Sequence, residues 1–180
     1  MRFYSTKGNA ISVGFKDALF HGLAPDGGLY MPETIPHLGI DFFKSDLSYP
    51  ELAAGMIHPF TKDDLSHARL TDICESAFDF PLRIKELNKT DSVLELFHGP
   101  TFAFKDFAAR FMARTMSYFL KNNDNELTIL VATSGDTGSA VANGFFNVDG
   151  INVIILYPSN RVSAIQEKQL TTLGGNITAL

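Results

Sequence analysis

The sequence predicts an α/β protein. A small mixed α/β N-terminal domain over residues 1–90 is followed, over residues 91–180, by part of a parallel sheet covered by helices. Two observations carry the second half: the strongly apolar stretches Leu127 to Ala132 and Val153 to Leu156, which read as buried strands, and the helical periodicity that alternates with them. Apolar strands without in–out alternation are the pattern of a parallel sheet covered on both faces. A third concerns the end of the chain, where a further strand opens at Asn176 and the sequence stops at Leu180. The expectation is an incomplete sheet, and hence the N-terminal portion of something longer.

The elements follow in order. Ser12 to Phe20 reads as a helix closed by Gly22, and Pro25-Asp26-Gly27-Gly28 as a turn before an extended Leu29-Tyr30-Met31 that ends at Pro32. Ser48 with Glu51 forms a capping box with Pro50 in the first turn, so a helix should run from Tyr49 to about Ile57. Another starts after Thr61. Leu82 to Leu87 and Val93 to Phe97 are extended runs joined across Asn88-Lys89-Thr90-Asp91, as in a hairpin or a crossover between subdomains. Phe104, Phe107, Ala108, Phe111, Met112, Thr115 and Phe119 lie on one helical face, which predicts a helix from Lys105 to Lys121. A strand Leu127 to Thr133, a helix Thr137 to Phe146 and a strand Ile151 to Tyr157 closed by Pro158 come next. Ser163 with Gln166 then caps a helix that Gly174-Gly175 ends, and Asn176 to Leu180 begins the third strand.

Composition narrows the function. The 180 residues are 45% hydrophobic, enough for a buried core, and Lys+Arg 15 against Asp+Glu 20 leaves a net charge of −5 without blocks of like charge. A nucleic-acid or anionic-membrane surface is disfavoured, whereas a local cationic pocket is not. No apolar run approaches the roughly 20 residues of a membrane span, and the N-terminus lacks the apolar core of a secretory signal. A lone Cys74 points to a reducing compartment, so the cytoplasm is expected. The histidines at 21, 37, 58 and 67 show no metal-ligand spacing, and no metal is expected.

Three motifs could carry chemistry. Ser134-Gly135-Asp136-Thr137-Gly138 joins a buried strand to a helix, where ligands of open α/β sheets bind and a helix N-terminus offers N–H groups to anions. It matches neither the GxxxxGK[ST] nor the GxGxxG pattern, so ATP and dinucleotides are not indicated. Its plain alternative is a β–α turn in which Thr137 caps the helix. Lys105 opens a helix between phenylalanines, against the positive end of the helix dipole; both conditions favour the neutral amine that a Schiff base requires. On the residues alone the stronger reading is a surface lysine paired with Asp106. His98-Gly99-Pro100-Thr101 shapes the turn before that helix, and Thr101 could cap the helix or hydrogen-bond a ligand. His98 in such a loop is more often structural, and Arg110 reads more readily as a salt-bridge partner than as an anion site.

Taken together, Glu95-Leu96-Phe97-His98-Gly99-Pro100-Thr101-Phe102-Ala103-Phe104-Lys105-Asp106-Phe107, Ala132-Thr133-Ser134-Gly135-Asp136-Thr137-Gly138 and Leu156-Tyr157-Pro158 closely resemble threonine synthases of the bacterial and fungal type. Phe3-Tyr4-Ser5-Thr6, Gly22-Leu23-Ala24-Pro25-Asp26-Gly27-Gly28-Leu29-Tyr30 and Leu173-Gly174-Gly175-Asn176 extend the resemblance over essentially the whole chain. The resemblance implies a tryptophan-synthase-β-like fold (fold type II) and a pyridoxal 5'-phosphate lyase that converts O-phospho-L-homoserine and water to L-threonine and phosphate. It implies Lys105 as the residue that binds the cofactor and then serves as base, and Asp136 near the cofactor's 3′-oxygen, where related enzymes more often carry Asn. It places Ser134, Gly135 and Thr137 around the substrate carboxylate, with Thr101 also on the substrate side. Members of the family are more than twice as long, and their cofactor-phosphate loop and substrate-phosphate residues would lie beyond Leu180. The expectation is therefore a fragment that is inactive alone, with the missing C-terminal half as a partner. Two other readings stay open: a catalytically retired relative acting as a binding or assembly protein, and an unrelated phosphate-ligand domain that would use the SGDTG loop alone.

Overall fold

In a computed structural model that describes residues 1–121, 126–158 and 160–180, the chain packs as two units, Met1–Glu75 and Ser76–Leu180. The first unit opens with β1 (Phe3–Ser5), followed by α1 (Phe15–His21) and by β2 (Tyr30–Pro32), which pairs antiparallel with β1. The Pro25–Gly28 turn is held by Asp26, whose carboxylate accepts from Ser5 Oγ (2.6 Å), Gly28 N (2.9 Å) and Asn9 N (3.0 Å). Gly27 takes φ +76°, a conformation that other L-residues reach only with strain. Helix α1 starts at Phe15 rather than Ser12, since Val13 is still hydrogen-bonded in extended form to Phe3, and it ends at Gly22 as expected.

The short helix α2 (Ile40–Phe43), unanticipated from sequence, precedes α3 (Tyr49–Thr61) and α4 (His67–Ala77). The Ser48/Glu51 capping box is present at the start of α3. The helix outruns its expected end near Ile57 and passes through Pro59, which removes only one donor from the ladder, to reach the buried Thr61. Gly55 on α3 leaves room for the Phe42 ring, since a Cβ there would come 2.5 Å from Phe42 Cε2. Leu65, Leu70, Ile73 and Cys74 form the buried core of this region.

In the second unit β3 (Arg83–Glu86) and β4 (Ser92–Glu95) form an antiparallel hairpin, the first of the two arrangements expected. The Asn88 side chain organises its turn, accepting from Thr90 N (2.9 Å) and Asp91 N (3.0 Å). Helix α5 (Lys105–Leu120) is followed by β5 (Leu127–Ala132), α6 (Asp136–Phe145), β6 (Ile151–Leu156), α7 (Ala164–Thr171) and β7 (Ile177–Ala179). The three strands form a parallel sheet in the order β5-β6-β7, in register from Leu127↔Ile151 and Val153↔Ile177. The expected parallel sheet is therefore present.

Coverage of the sheet differs from the expectation of two closed faces. Ile151, Val153, Ile155 and Ile177 are buried, whereas Leu130 is 65% and Leu156 40% exposed on the opposite face. The strands are ordered sequentially, so two right-handed crossovers set α6 and α7 on the same side. Helix α6 carries Gly138, Ala140, Ala142, Gly144 and Phe145, all buried. A Cβ at Gly144 would lie 3.0 to 3.2 Å from the backbone and side chain of Ala109, so the absence of one lets α5 and α6 pack at close range. Among the described residues no helix is long and apolar enough to cross a membrane.

Candidate active site

The site forms at the carboxyl end of β5, where the chain turns into α6. Lys105 is the first residue of α5 and is half-buried. Its Nζ lies 4.5 Å from the centroid of the Phe104 ring, within cation–π range. Phe104, expected to help enclose the amine, is 61% exposed, and Phe102 in the preceding turn is 75% exposed, whereas Phe107 is half-buried.

Asp106 does not pair with Lys105, against the plain reading of the motif. Its carboxylate is fully buried and accepts from the Thr101 backbone N–H (2.9 Å) and the Thr101 hydroxyl (2.6 Å). This clamps the His98–Thr101 turn onto the first turn of α5, where a carboxylate also suits the helix dipole. Gly99 is the residue that fits beneath it, because a Cβ at 99 would overlap the Asp106 side chain. Thr101 thus donates its hydroxyl proton to Asp106, and what it can offer a ligand is the oxygen's remaining lone pairs. Phe102 takes φ +60° in the same turn, a left-handed conformation unusual for an aromatic residue. His98 Nε2 lies 2.7 Å from Glu95 Oε2, so the histidine is occupied structurally.

Arg110, one turn further along α5, is also structural. It donates to the Ala77 carbonyl (2.7 Å), the Ser76 carbonyl (3.1 Å) and the Asp79 carboxylate, and it is not an anion site. Burial and the neighbouring Arg110 charge both push the Arg114 guanidinium below its ordinary range.

The Ser134–Gly138 loop is shaped by Thr133, a residue the sequence did not single out. Thr133 Oγ1 accepts from Gly138 N (3.0 Å) and Gly135 N (3.3 Å), so it caps α6 in the role the sequence had offered to Thr137. Thr137 is instead the second residue of α6, with Gly135 at the N-cap. A Cβ at Gly138 would overlap the Thr133 methyl group and approach Leu170 Cδ2 to 3.1 Å, which fixes the glycine through close packing. With Gly138 N–H taken, the amides of Asp136 and Thr137 are those the first turn of α6 has left to offer an anion. Ser134, Asp136 and Thr137 are exposed, and Gly135 is buried.

Lys105, Thr133, Ser134, Gly135, Asp136, Thr137 and Gln166 together line a cleft of about 270 Å³. The amine and the glycine-rich loop therefore meet, although nothing in their sequence spacing required it. Gln166 had been recognised only as a capping residue. It also donates from Nε2 to Asp136 Oδ1 at 3.0 Å. Among the described residues no three His, Cys, Asp or Glu side chains form a group that could hold a metal ion.

Comparison with known proteins points to threonine synthases. Residues 2–78 match the family described as "Threonine synthase N terminus". Threonine synthase of Pseudomonas aeruginosa is 42% identical over 185 residues, an alignment covering 98% of this chain and 39% of that protein. Two solved structures superpose closely. Threonine synthase of Escherichia coli gives a TM-score of 0.89 at 38% identity, covering 100% of this chain and 42% of that one. The pyridoxal-phosphate-bound threonine synthase of Brucella melitensis gives 0.93 at 38% identity, covering 99% and 40%.

Over essentially its whole length the chain is similar to the N-terminal part of threonine synthases.

It spans about two-fifths of the length of the threonine synthases it matches. Both the hairpin before α5 and the parallel sheet lie within the region shared with those threonine synthase structures.

Proposed function

We propose that this chain supplies the lysine side of a pyridoxal 5'-phosphate-dependent threonine synthase site, acting on O-phospho-L-homoserine and water to give L-threonine and phosphate. The observation that carries the reading is the shared cleft of Lys105 and the Ser134–Thr137 loop. The donor set fits the cofactor and substrate: a primary amine for an aldehyde, a carboxylate for a ring hydroxyl, and helix N–H groups for an anion. When bound, pyridoxal phosphate supplies an electron sink for protons leaving the substrate carbon chain.

The chain's own residues divide the work. The Lys105 amine would hold the cofactor at its aldehyde and would take up and return protons at Nζ. Asp136 would lie on the side of the cofactor's 3′-oxygen. Ser134, Gly135 and Thr137 surround the substrate carboxylate with the first-turn amides of α6, and Thr101 lends an oxygen lone pair at the base of α5. The reaction setting is the cytoplasm, in keeping with the single, buried, unbridged Cys74.

The test is trapping by reduction. The chain is mixed with pyridoxal phosphate, treated with borohydride, and mapped by mass spectrometry beside Lys105→Ala. One reduced adduct on Lys105, absent from the variant, is the expected result. Adducts scattered equally over surface lysines in both proteins would overturn the reading and favour a binding or assembly role.

A further inference from the structure

We propose that Gln166 is a positioning residue for the Lys105 cleft, its side-chain amide aiming the Asp136 carboxylate. Three neighbouring residues hold that amide in place. Gln166 Oε1 accepts from Ser163 N and Ser163 Oγ, both at 3.1 Å, as the reciprocal half of the α7 capping box. The other end, Nε2, donates to Asp136 Oδ1 at 3.0 Å. A backbone N–H can only donate and a carboxylate can only accept, so the amide cannot flip without breaking both contacts.

The third contact is steric. A Cβ at Gly135 would come 2.7 Å from Gln166 Nε2 and 3.2 Å from its Cδ, so the amide lies directly on the backbone of the loop. One turn deeper, Ser139 Oγ donates to Gln169 Oε1 at 3.3 Å, so α6 and α7 are tied twice.

The capping box alone does not explain glutamine at this position. It needs only an acceptor three residues after Ser163, and glutamate serves equally. Only an amide also gives Asp136 a donor. Glutamate would keep the helix cap and set a second carboxylate against Asp136, in the cleft that Lys105 also lines. The aim of Asp136 is thus linked to a residue on the next helix, thirty positions away.

The proposal rests on Asp136 facing the cofactor, so the first measurement uses no cofactor. Amide hydrogen exchange at Gly135 and Gly138, whose N–H groups donate to Thr133 Oγ1, is followed in the full chain, in Gln166→Glu, and in Gln166→Glu combined with Asp136→Asn, which reverses donor and acceptor. Exchange should rise about tenfold in the single variant and return to within about twofold in the double, while the melting temperature of the single variant stays unchanged because the cap persists. Unchanged exchange, or exchange that the double variant does not restore, overturns the proposal.

The second measurement is the yield and visible absorption band of the Lys105 adduct with pyridoxal phosphate. Gln166→Glu should lower the yield about tenfold and shift the band. A variant that forms the adduct as readily as wild type, with the same band, also overturns the positioning role. If exchange responds and is restored but wild type never forms the adduct, the proposed function fails while the Gln166–Asp136 link stands.

Discussion

The Thr101 hydroxyl and the Thr101 backbone amide both donate to one buried carboxylate, that of Asp106, at 2.6 and 2.9 Å. This pair, rather than any contact of Lys105 itself, sets where α5 begins and so where the amine stands. Asp106→Ala would strand both donors and should destabilise the chain by about 3 kcal/mol. Asp106→Asn retains one acceptor oxygen and should cost about half as much. Urea unfolding midpoints would measure both. Equal stability of wild type and Asp106→Ala would contradict the clamp.

Thr133 caps α6 through its hydroxyl while its methyl group packs over Gly138. Thr133→Val keeps the shape and removes the acceptor, so a loss of about 1 kcal/mol is expected. Thr133→Ser keeps the acceptor and should retain most of the cap. Exchange of the Gly138 amide is the direct readout: faster in the valine variant and near wild type in the serine one.

Arg110 is buried and uses its guanidinium against two carbonyls and the Asp79 carboxylate. Arg110→Ala should cost about 3 kcal/mol, because carbonyls and a carboxylate lose a shared donor. Arg110→Lys should recover little, since an ammonium cannot reproduce the fork. Thermal unfolding of the two variants beside wild type tests this, and full recovery by lysine would refute the fork geometry.

Cys74 is fully buried, and burial pushes its thiol up to about 11 from an ordinary 9.0. At pH 8 it should resist alkylation in the folded chain and react promptly in urea. Tyr49 shifts in the same direction, through its own burial and the nearby Cys74 charge. Both raised groups bind their protons more tightly in the folded state. As pH rises above about 9 the unfolded chain ionises first, and stability should fall toward pH 11. Denaturant midpoints at pH 8 and pH 10.5 would show the loss, and Cys74→Ala should reduce it.

Much of this protein is written locally. The capping boxes at Ser48/Glu51 and Ser163/Gln166, the turn at Asp26-Gly27-Gly28, the helix starting at Lys105 and the apolar strands β5 and β6 follow from spacing and side-chain chemistry within a few residues. The motifs around Lys105 and Ser134–Gly138 likewise carry the resemblance to threonine synthases in sequence alone. Local rules also misled. Pro59 did not stop α3, and Thr137 was less suited than Thr133 to cap α6, because a cap is chosen by which hydroxyl the loop geometry brings to the free amide.

Tertiary structure alone decided the rest. That Asp106 turns inward to Thr101 and leaves Lys105 to the cleft depends on the fold of the turn around Gly99. That α6 and α7 lie on the same sheet face depends on strand order, which no single strand encodes. Gln166 reaches Asp136 from thirty residues away because two parallel strands set the first turns of α6 and α7 side by side. Capping and periodicity are short-range interactions that a sequence displays directly. The site is made by long-range convergence, which exists only once the sheet has formed.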